Sequence, residues 1–421
     1  MRSVSKIENG KRKIIKKPEL LAPAGNLEKL KVAIMYGADA VFIGGKEFSL
    51  RSNASNFSLD DIKEAVQFAS NHGANIHVTC NIVLHNDNLE GIATYLQALD
   101  EIGVTAIIVA DPYIMSIARA LSLRLEVHVS TQLSTLNTKA VEWYRSIGAT
   151  RVVLGREVDK GDLAAILDQT DMDIEYFIHG AMCIHYSGRC MLSNYFSNRD
   201  ANRGGCAQSC RWQYDMYEDG HKINQESDIP FTMSSKDMAL IDHIPSLIEM
   251  GVDSLKIEGR MKSLHYIATV VSTYRKLIDT YCESPDTFVQ EKKYRWELQK
   301  AANRSLTSAF YDRIPTKQDQ LFNREEHPTQ EFIIRVLDYD PKTGLAMVEQ
   351  RNYFRQDDIV EFFGPNHPNI EMRISAIYNE NKEEVTMANH PMEILYIKAT
   401  APLYKEDMGR LVRQQEQSNQ K

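Results

Sequence analysis

Cys183, Cys190, Cys206 and Cys210 fall together in the stretch "CIHYSGRCMLSNYFSNRDANRGGCAQSC", whereas the chain's two other cysteines, Cys80 and Cys282, stand far from it. Four thiolates spaced C-x6-C-x15-C-x3-C can close a tetrahedral zinc site or hold an iron–sulfur cluster. The spacing matches neither the paired C-x2-C of zinc ribbons nor the bacterial ferredoxin run, so it does not choose the metal. Six cysteines in 421 residues are too sparse for a disulfide scaffold, and clustering without a scaffold points to metal or redox chemistry. Arg189, Arg199, Arg203 and Arg211 supply positive charge that stabilises thiolates or an anionic substrate. Gly188, Gly204 and Gly205 permit a tight wrap. His179 and His185 flank the first cysteine and are read as orienting groups, four thiols already completing a shell. Cys80, inside "NIHVTCNIVL", and Cys282, at the end of a helical pattern, are read as packing.

The elements that must position this cluster read as alternating strands and helices. The runs "ELLAPAG", "AVFIGG", "NIHVTCNIVL", "AIIVADP", "LEVHVSTQLS", "RVVLGRE", "EYFIHG" and "SLKIEGR" are rich in β-branched residues. Segments such as "NLEKLKVAIMYG" between the first seven carry apolar residues three and four apart. The pattern predicts a (β/α)8 TIM-like barrel over residues 18–285, and "AGNLEKL" lacks the glycines of a dinucleotide fold. Strand C-terminal ends then form the active face, gathering Asn26, Lys46, Arg51, Asn81, Asp111, Ser130, Thr131, Gln132, Arg156, Glu157, His179, Glu258 and Arg260. Asn26 and Asp111 suit helix caps. The cysteines occupy an insertion between strands seven and eight, about residues 181–250. A charged helical and linker segment follows at 286–330, then alternation and turns predict a small all-β, barrel-like domain at 331–411 and a disordered polar tail at 412–421.

Forty-nine Lys and Arg against 57 Asp and Glu give a net charge of −8, which excludes a globally basic nucleic-acid coat. Local contact remains open, and "KIENGKRKIIKK" in the arm 1–17 reads as a solvated basic segment. Neither a signal peptide nor an apolar membrane span is evident, so a cytoplasmic location is expected.

Several motifs together, "HGAMCIHYSGRCMLSNYFSNRDANRGGCAQSCRW", "ELLAPAGN", "TMSSKDM", "GVDSLKIEGRMKS" and "VEQRNYFRQDDIVEFFGP", resemble the collagenase-like peptidase family, and within it the tRNA hydroxylation branch. The resemblance implies a role in prephenate-dependent formation of 5-hydroxyuridine at the wobble position of tRNA, with the anticodon loop as macromolecular substrate. Members that hydroxylate a ubiquinone precursor hold a 4Fe-4S cluster on four cysteines, and Cys183, Cys190 and Cys206 occupy matching positions. Some relatives place the fourth cysteine after "SSKD"; here "SSKDMALI" has none, so Cys210 takes the place. Prephenate is a dicarboxylate, which Arg260, Arg156 and Arg51 suit through bidentate forks, with Lys256 and Gln132 also facing substrate and Lys256 and Lys236 as phosphate contacts. Trp212, Tyr195 and Phe196 suit either core packing or base stacking. A partner protein or electron donor is a further expectation. The family name also raises hydrolysis: no H-E-x-x-H or G-x-S-x-G is present, but Asp237 and Glu258 could act as acid and base. A third reading is a non-catalytic RNA-binding scaffold around structural zinc.

Overall fold

The computed structural model describes residues 4–8, 11–49, 56–222, 231–319, 331–365 and 367–412. Eight parallel strands form the core: β1 (Glu19–Pro23), β2 (Ala40–Gly44), β3 (Asn75–Cys80), β4 (Ala106–Val109), β5 (Glu126–Val129), β6 (Arg151–Val153), β7 (Asp173–Gly180) and β8 (Ser254–Ile257). Each pairs with its successor, and β8 pairs with both β1 and β7, so the sheet closes into a barrel. The expected (β/α)8 architecture is therefore present. Every residue of β2 is buried, as strands enclosed on both faces require.

Helices α1 (Leu27–Met35), α2 (Leu59–Asn71), α3 (Ile92–Ile102), α4 (Pro112–Ala120), α5 (Thr138–Ser146) and α6 (Lys160–Gln169) alternate with these strands. Their starts follow capping chemistry. Asn26 accepts from the Lys29 N–H, Asp111 from the Tyr113 N–H, and Ser58 and Asp61 form a reciprocal box. Asn26 and Asp111 thus act as caps. In the insertion, α7 (Leu192–Ser197) lies among the cysteines and α8 (Ile244–Met250) precedes β8. After β8, α9 (Leu264–Glu283) packs along the barrel and α10 (Lys292–Gln299) leads toward the C-terminal domain.

Two sequence readings change. The insertion contributes a strand that the eight-strand reading did not include, because Asp237–Ala239 pairs antiparallel with the end of β7 and extends the sheet beyond the barrel. The N-terminal arm is not simply solvated. Ser5–Glu8 pairs with Lys11–Ile14, Arg12 donates to Asp286 and contacts Glu249, and Lys16 and Lys17 pair with Asp253 and Asp279. Carboxylates of the barrel claim charges that the sequence pattern leaves exposed.

The C-terminal domain is an antiparallel eight-stranded sheet, curled as a half-barrel over its own apolar core. It docks on the barrel through buried polar contacts. The Tyr36 hydroxyl donates to the Glu406 carbonyl at 2.8 Å, and the fully buried Arg410 donates to Glu361, which also holds Lys300 at 2.9 Å. The predicted tail falls almost wholly on 413–421, outside the described residues. No helix among the described residues is long and apolar enough to cross a membrane.

The barrel interior carries charge as well as apolar side chains. Lys256 on β8 reaches Glu175 on β7 at 2.5 Å, Glu175 faces Arg151 at 3.5 Å, and Arg151 pairs with Glu19 at 2.6 Å. Glu175 is fully buried, and its two cations hold its carboxyl below the usual range against the opposing effect of burial. Removing one member of a buried pair strands the others. Glu175→Gln should therefore lower unfolding free energy by about 3–5 kcal/mol, while Glu175→Leu combined with Lys256→Met should cost less. Urea denaturation midpoints check this, and a loss below about 1 kcal/mol for Glu175→Gln would contradict it.

Candidate active site

The C-terminal ends of the barrel strands surround a cavity of about 90 Å³. Phe42, Thr79, Asn81, Ser130, Thr131, Gln132, Arg156, Phe177, Lys256, Glu258 and Arg260 line it. This volume is below the few hundred Å³ of a whole small-ligand site, so the cavity has room for only one end of a ligand. Larger clefts exist on the barrel's flank, but here three buried cations converge at the end where barrel enzymes work.

Each cation is held in place. Arg156 lies with its guanidinium carbon 3.9 Å from the Phe177 ring centre and donates to Glu258 at 3.2 Å. Lys256 rises from Glu175 between the rings of Phe42 and Phe177, 4.4 and 5.6 Å from their centres. Arg260 bonds Ser49 Oγ at 3.2 Å and the Asn56 amide oxygen. Its guanidinium lies over Gly44, where an added Cβ would come within 1.9 Å of a guanidinium nitrogen. Glycine at 44 is therefore a steric requirement of the arginine's position. Gln132 sits on a short turn capped by Ser130, whose hydroxyl accepts the Gln132 N–H and faces the Asn81 amide.

The cysteine insertion is fastened to this mouth. The Ser187 N–H donates to Glu157 at 3.0 Å, and the Arg189 guanidinium donates to Ser134 Oγ at 3.1 Å. Gly188, at φ +78°, lies against the Gln132 backbone, and a Cβ there would fall 2.0 Å from the Gln132 carbonyl. The four thiols share one electrostatic neighbourhood: Cys183 feels Cys190 and Cys206, and Cys210 feels the other three. Cys183 and Cys206 are exposed as residues, Cys190 and Cys210 partly so. The Cys183 sulfur nonetheless lies deep enough that desolvation pushes its pKa up. Arg156 opposes that shift, and Glu258 adds to it. Cys183 is thus the thiol that meets the barrel mouth.

Arrangement and donor chemistry suit a multi-thiolate centre. Tetrahedral zinc at 2.3 Å from each sulfur needs sulfurs about 3.8 Å apart. An iron–sulfur core, in which each thiolate takes a different iron, needs wider spacing. The group of closely spaced metal-ligating atoms found among the described residues is His77, His128 and Glu175, which lies inside the barrel and contains no cysteine.

Other readings fall out as follows. Asp237 and Glu258 do not stand as a free carboxylate pair. Asp237 is held by Arg304 at 3.2 Å and Lys262 at 3.8 Å, and Glu258 by Arg156. Tyr195, Phe196 and Trp212 are 84%, 51% and 38% exposed, which removes the core-packing reading. Phe196 lies 6.5 Å from Trp212 and 5.6 Å from Tyr214, ring centre to ring centre. Lys236 is half-buried in the insertion, away from the cavity lining. Cys80 is buried in β3, as packing requires, and Cys282 lies partly buried on α9. Arg51 lies outside the described residues. The sequence reading missed Glu175 as the support of Lys256 and Glu157 as the anchor of the insertion. An acid midway along the apolar run "DIEYFIHG" was the available signal for the first.

This assembly is a (β/α)8 barrel whose mouth is walled by a thiol cluster and floored by cations. Residues 25–321 match peptidase family U32, and residues 328–410 match the peptidase family U32 C-terminal domain. The chain belongs to that family. It is 52% identical over 412 residues to tRNA hydroxylation protein P1 of Bacillus subtilis, covering 97% of this chain and 98% of that protein. It is 40% identical over 280 residues to the 23S rRNA 5-hydroxycytidine C2501 synthase of Escherichia coli, 66% of this chain and 42% of that protein. A collagenase of Porphyromonas gingivalis is 32% identical over 307 residues, 70% of this chain and 73% of that protein.

His179, at the end of β7, contacts the Tyr274 hydroxyl at 3.2 Å, and burial pushes its pKa down to about 4. Folding thus disfavours its protonation. The penalty is absent above about pH 6.5, grows as pH falls, and is complete below about pH 4. Between pH 7 and pH 5 the wild type should lose about 2 kcal/mol more stability than His179→Gln. Equal losses in urea titrations at the two pH values would show that His179 carries no such penalty.

Proposed function

We propose that this chain hydroxylates tRNA, converting the wobble uridine to 5-hydroxyuridine in a prephenate-dependent reaction, with a 4Fe-4S cluster on Cys183, Cys190, Cys206 and Cys210. The observation that carries the reading is the shared neighbourhood of Cys183, Arg156 and Glu258, which joins the thiol cluster to the cationic barrel mouth. The names of relatives, tRNA hydroxylation protein P1 and an rRNA 5-hydroxycytidine synthase, support an RNA hydroxylation.

In this reading Arg156 and Arg260 grip carboxylates as forks, and Lys256 supplies charge at the cavity floor. A carboxylate arriving at Arg156 competes with Glu258, freeing Glu258 to hold or pass a proton at its Oε2. Gln132 and Asn81 offer amides that orient the ligand. When bound, the cluster supplies one-electron redox chemistry. Burial raises the thiols of Cys183 and Cys210, so Arg156 and Arg211, which oppose that shift, favour the thiolates that iron requires. The exposed Tyr195, Phe196 and Trp212, with Arg199 and Arg211 close by in sequence, offer a stacking surface for splayed anticodon-loop bases. The same face is open to an electron donor or partner protein.

Hydrolysis has less behind it. The two carboxylates it would use are held in ion pairs, and its support is nominal: the peptidase name of the family and relatives named as a protease and a collagenase.

The deciding measurement is nucleoside mass spectrometry of tRNA from cells lacking the gene, grown without oxygen and rescued by wild type or Cys206→Ala. Wild type should restore wobble 5-hydroxyuridine derivatives, and Cys206→Ala should leave them more than tenfold lower. Anaerobically purified wild type should be brown and carry about four irons per chain. Unchanged nucleosides, or colourless protein with stoichiometric zinc, would overturn the reading.

A further inference from the structure

Away from the barrel mouth, α9, α10 and the loop after Phe363 enclose a cleft of about 690 Å³, large enough for a nucleotide. Lys276, Lys293, Trp296, Pro365, Pro368 and Asn369 are among its walls. Trp296 is 61% exposed, so its ring is not spent on the fold.

The cations here are unequally compensated. Lys293 pairs with Glu291 at 2.7 Å, and Lys300 pairs with Glu297 and Glu361 at 2.8 and 2.9 Å. Lys276 makes one long bond, 3.5 Å to the Gly364 carbonyl, and has no ion-pair partner among the described residues. Glu297 is near enough to favour its charge but is committed to Lys300 and Arg410. Desolvation is the larger effect and pushes the lysine's pKa down. An under-compensated ammonium group thus faces a cleft that also holds an exposed indole and two prolines.

We propose that this cleft takes a single-stranded nucleotide of the RNA substrate, with the base stacked on Trp296 and the phosphate on Lys276. Stacking on an aromatic ring beside a backbone-tracking cation is how proteins hold single strands. Lys276 lies thirteen residues along α9 from its cap Ser263, about 20 Å at helical rise, and Ser263 follows the rim residue Arg260 closely. One RNA molecule can span both places. The proposal rests on the tRNA reading and adds a second contact to it.

The test measures binding of unmodified tRNA to full-length wild type, Lys276→Ala and Trp296→Ala at several salt concentrations. Each substitution should raise Kd about tenfold. Lys276→Ala should also reduce the slope of log Kd against log salt by about 1, and Trp296→Ala should leave that slope unchanged. Trp296 is a surface residue, so its variant remains informative if Lys276→Ala folds poorly. Tight wild-type binding with both Kd values within twofold would overturn this inference alone. No tRNA binding by wild type would overturn it together with the tRNA reading. Uridine monophosphate saturating the cleft without competing against tRNA would identify a free-nucleotide site and overturn RNA docking.

Discussion

The parallel pairing of β8 with both β1 and β7 is the constraint on which the rest depends. Closure brings Lys256, Glu258 and Arg260, alternate residues of one short segment, against Arg156 just after β6 and Phe177 from β7. It also brings β7 to the point where the chain leaves the barrel as the cysteine insertion. Cys183 follows the end of β7 by three residues, and that short reach keeps its thiol within the field of Arg156 and Glu258. An open sheet of the same strands would leave β8 distant from either β1 or β7, and the cationic mouth would not form.

Closure also explains why charge runs through the barrel interior. An ammonium group at the cavity floor cannot be solvated, and a bare buried ion is prohibitively costly. Glu175 compensates Lys256 from below, Arg151 compensates Glu175, and Glu19 at the barrel's lower end completes the column. Well-packed apolar residues could fill the same volume at equal or greater stability. The column therefore makes better sense as support for a cation at the mouth than as a device for stability. Asn56 and Ser49 serve Arg260 in the same way with neutral acceptors.

Much of this was legible in the sequence. The strand runs and helix spacing carry the barrel, because closed parallel strands must be apolar on both faces and their helices on one. The position of the cysteines after the seventh strand run put them at the barrel mouth, and Gly188 marked the tight wrap that the Gln132 backbone enforces. What remained hidden was pairing. The charged arm looks solvated until Asp253, Asp279 and Asp286 are brought to it by the fold. The aromatic residues beside the cysteines cannot be sorted into core or surface from their types. Glu175 and Lys256 are 81 residues apart, and no local pattern joins them.

The C-terminal domain meets the barrel through a buried ionic junction. Arg410, fully buried, serves Glu361 within its own domain and Glu297 on α10, while Lys300 on α10 also reaches Glu361. Such a junction constrains geometry more than a greasy contact does, since charge pairs tolerate little displacement before their desolvation goes uncompensated. Its consequence is to fix α10, and with it Trp296, relative to α9 and the barrel rim. The exposed aromatic side chains of the insertion and the Trp296 indole beside α9 then stand on one scaffold. Under the RNA reading proposed above, that rigidity would let a stiff folded RNA meet both places without either partner bearing the cost of reordering.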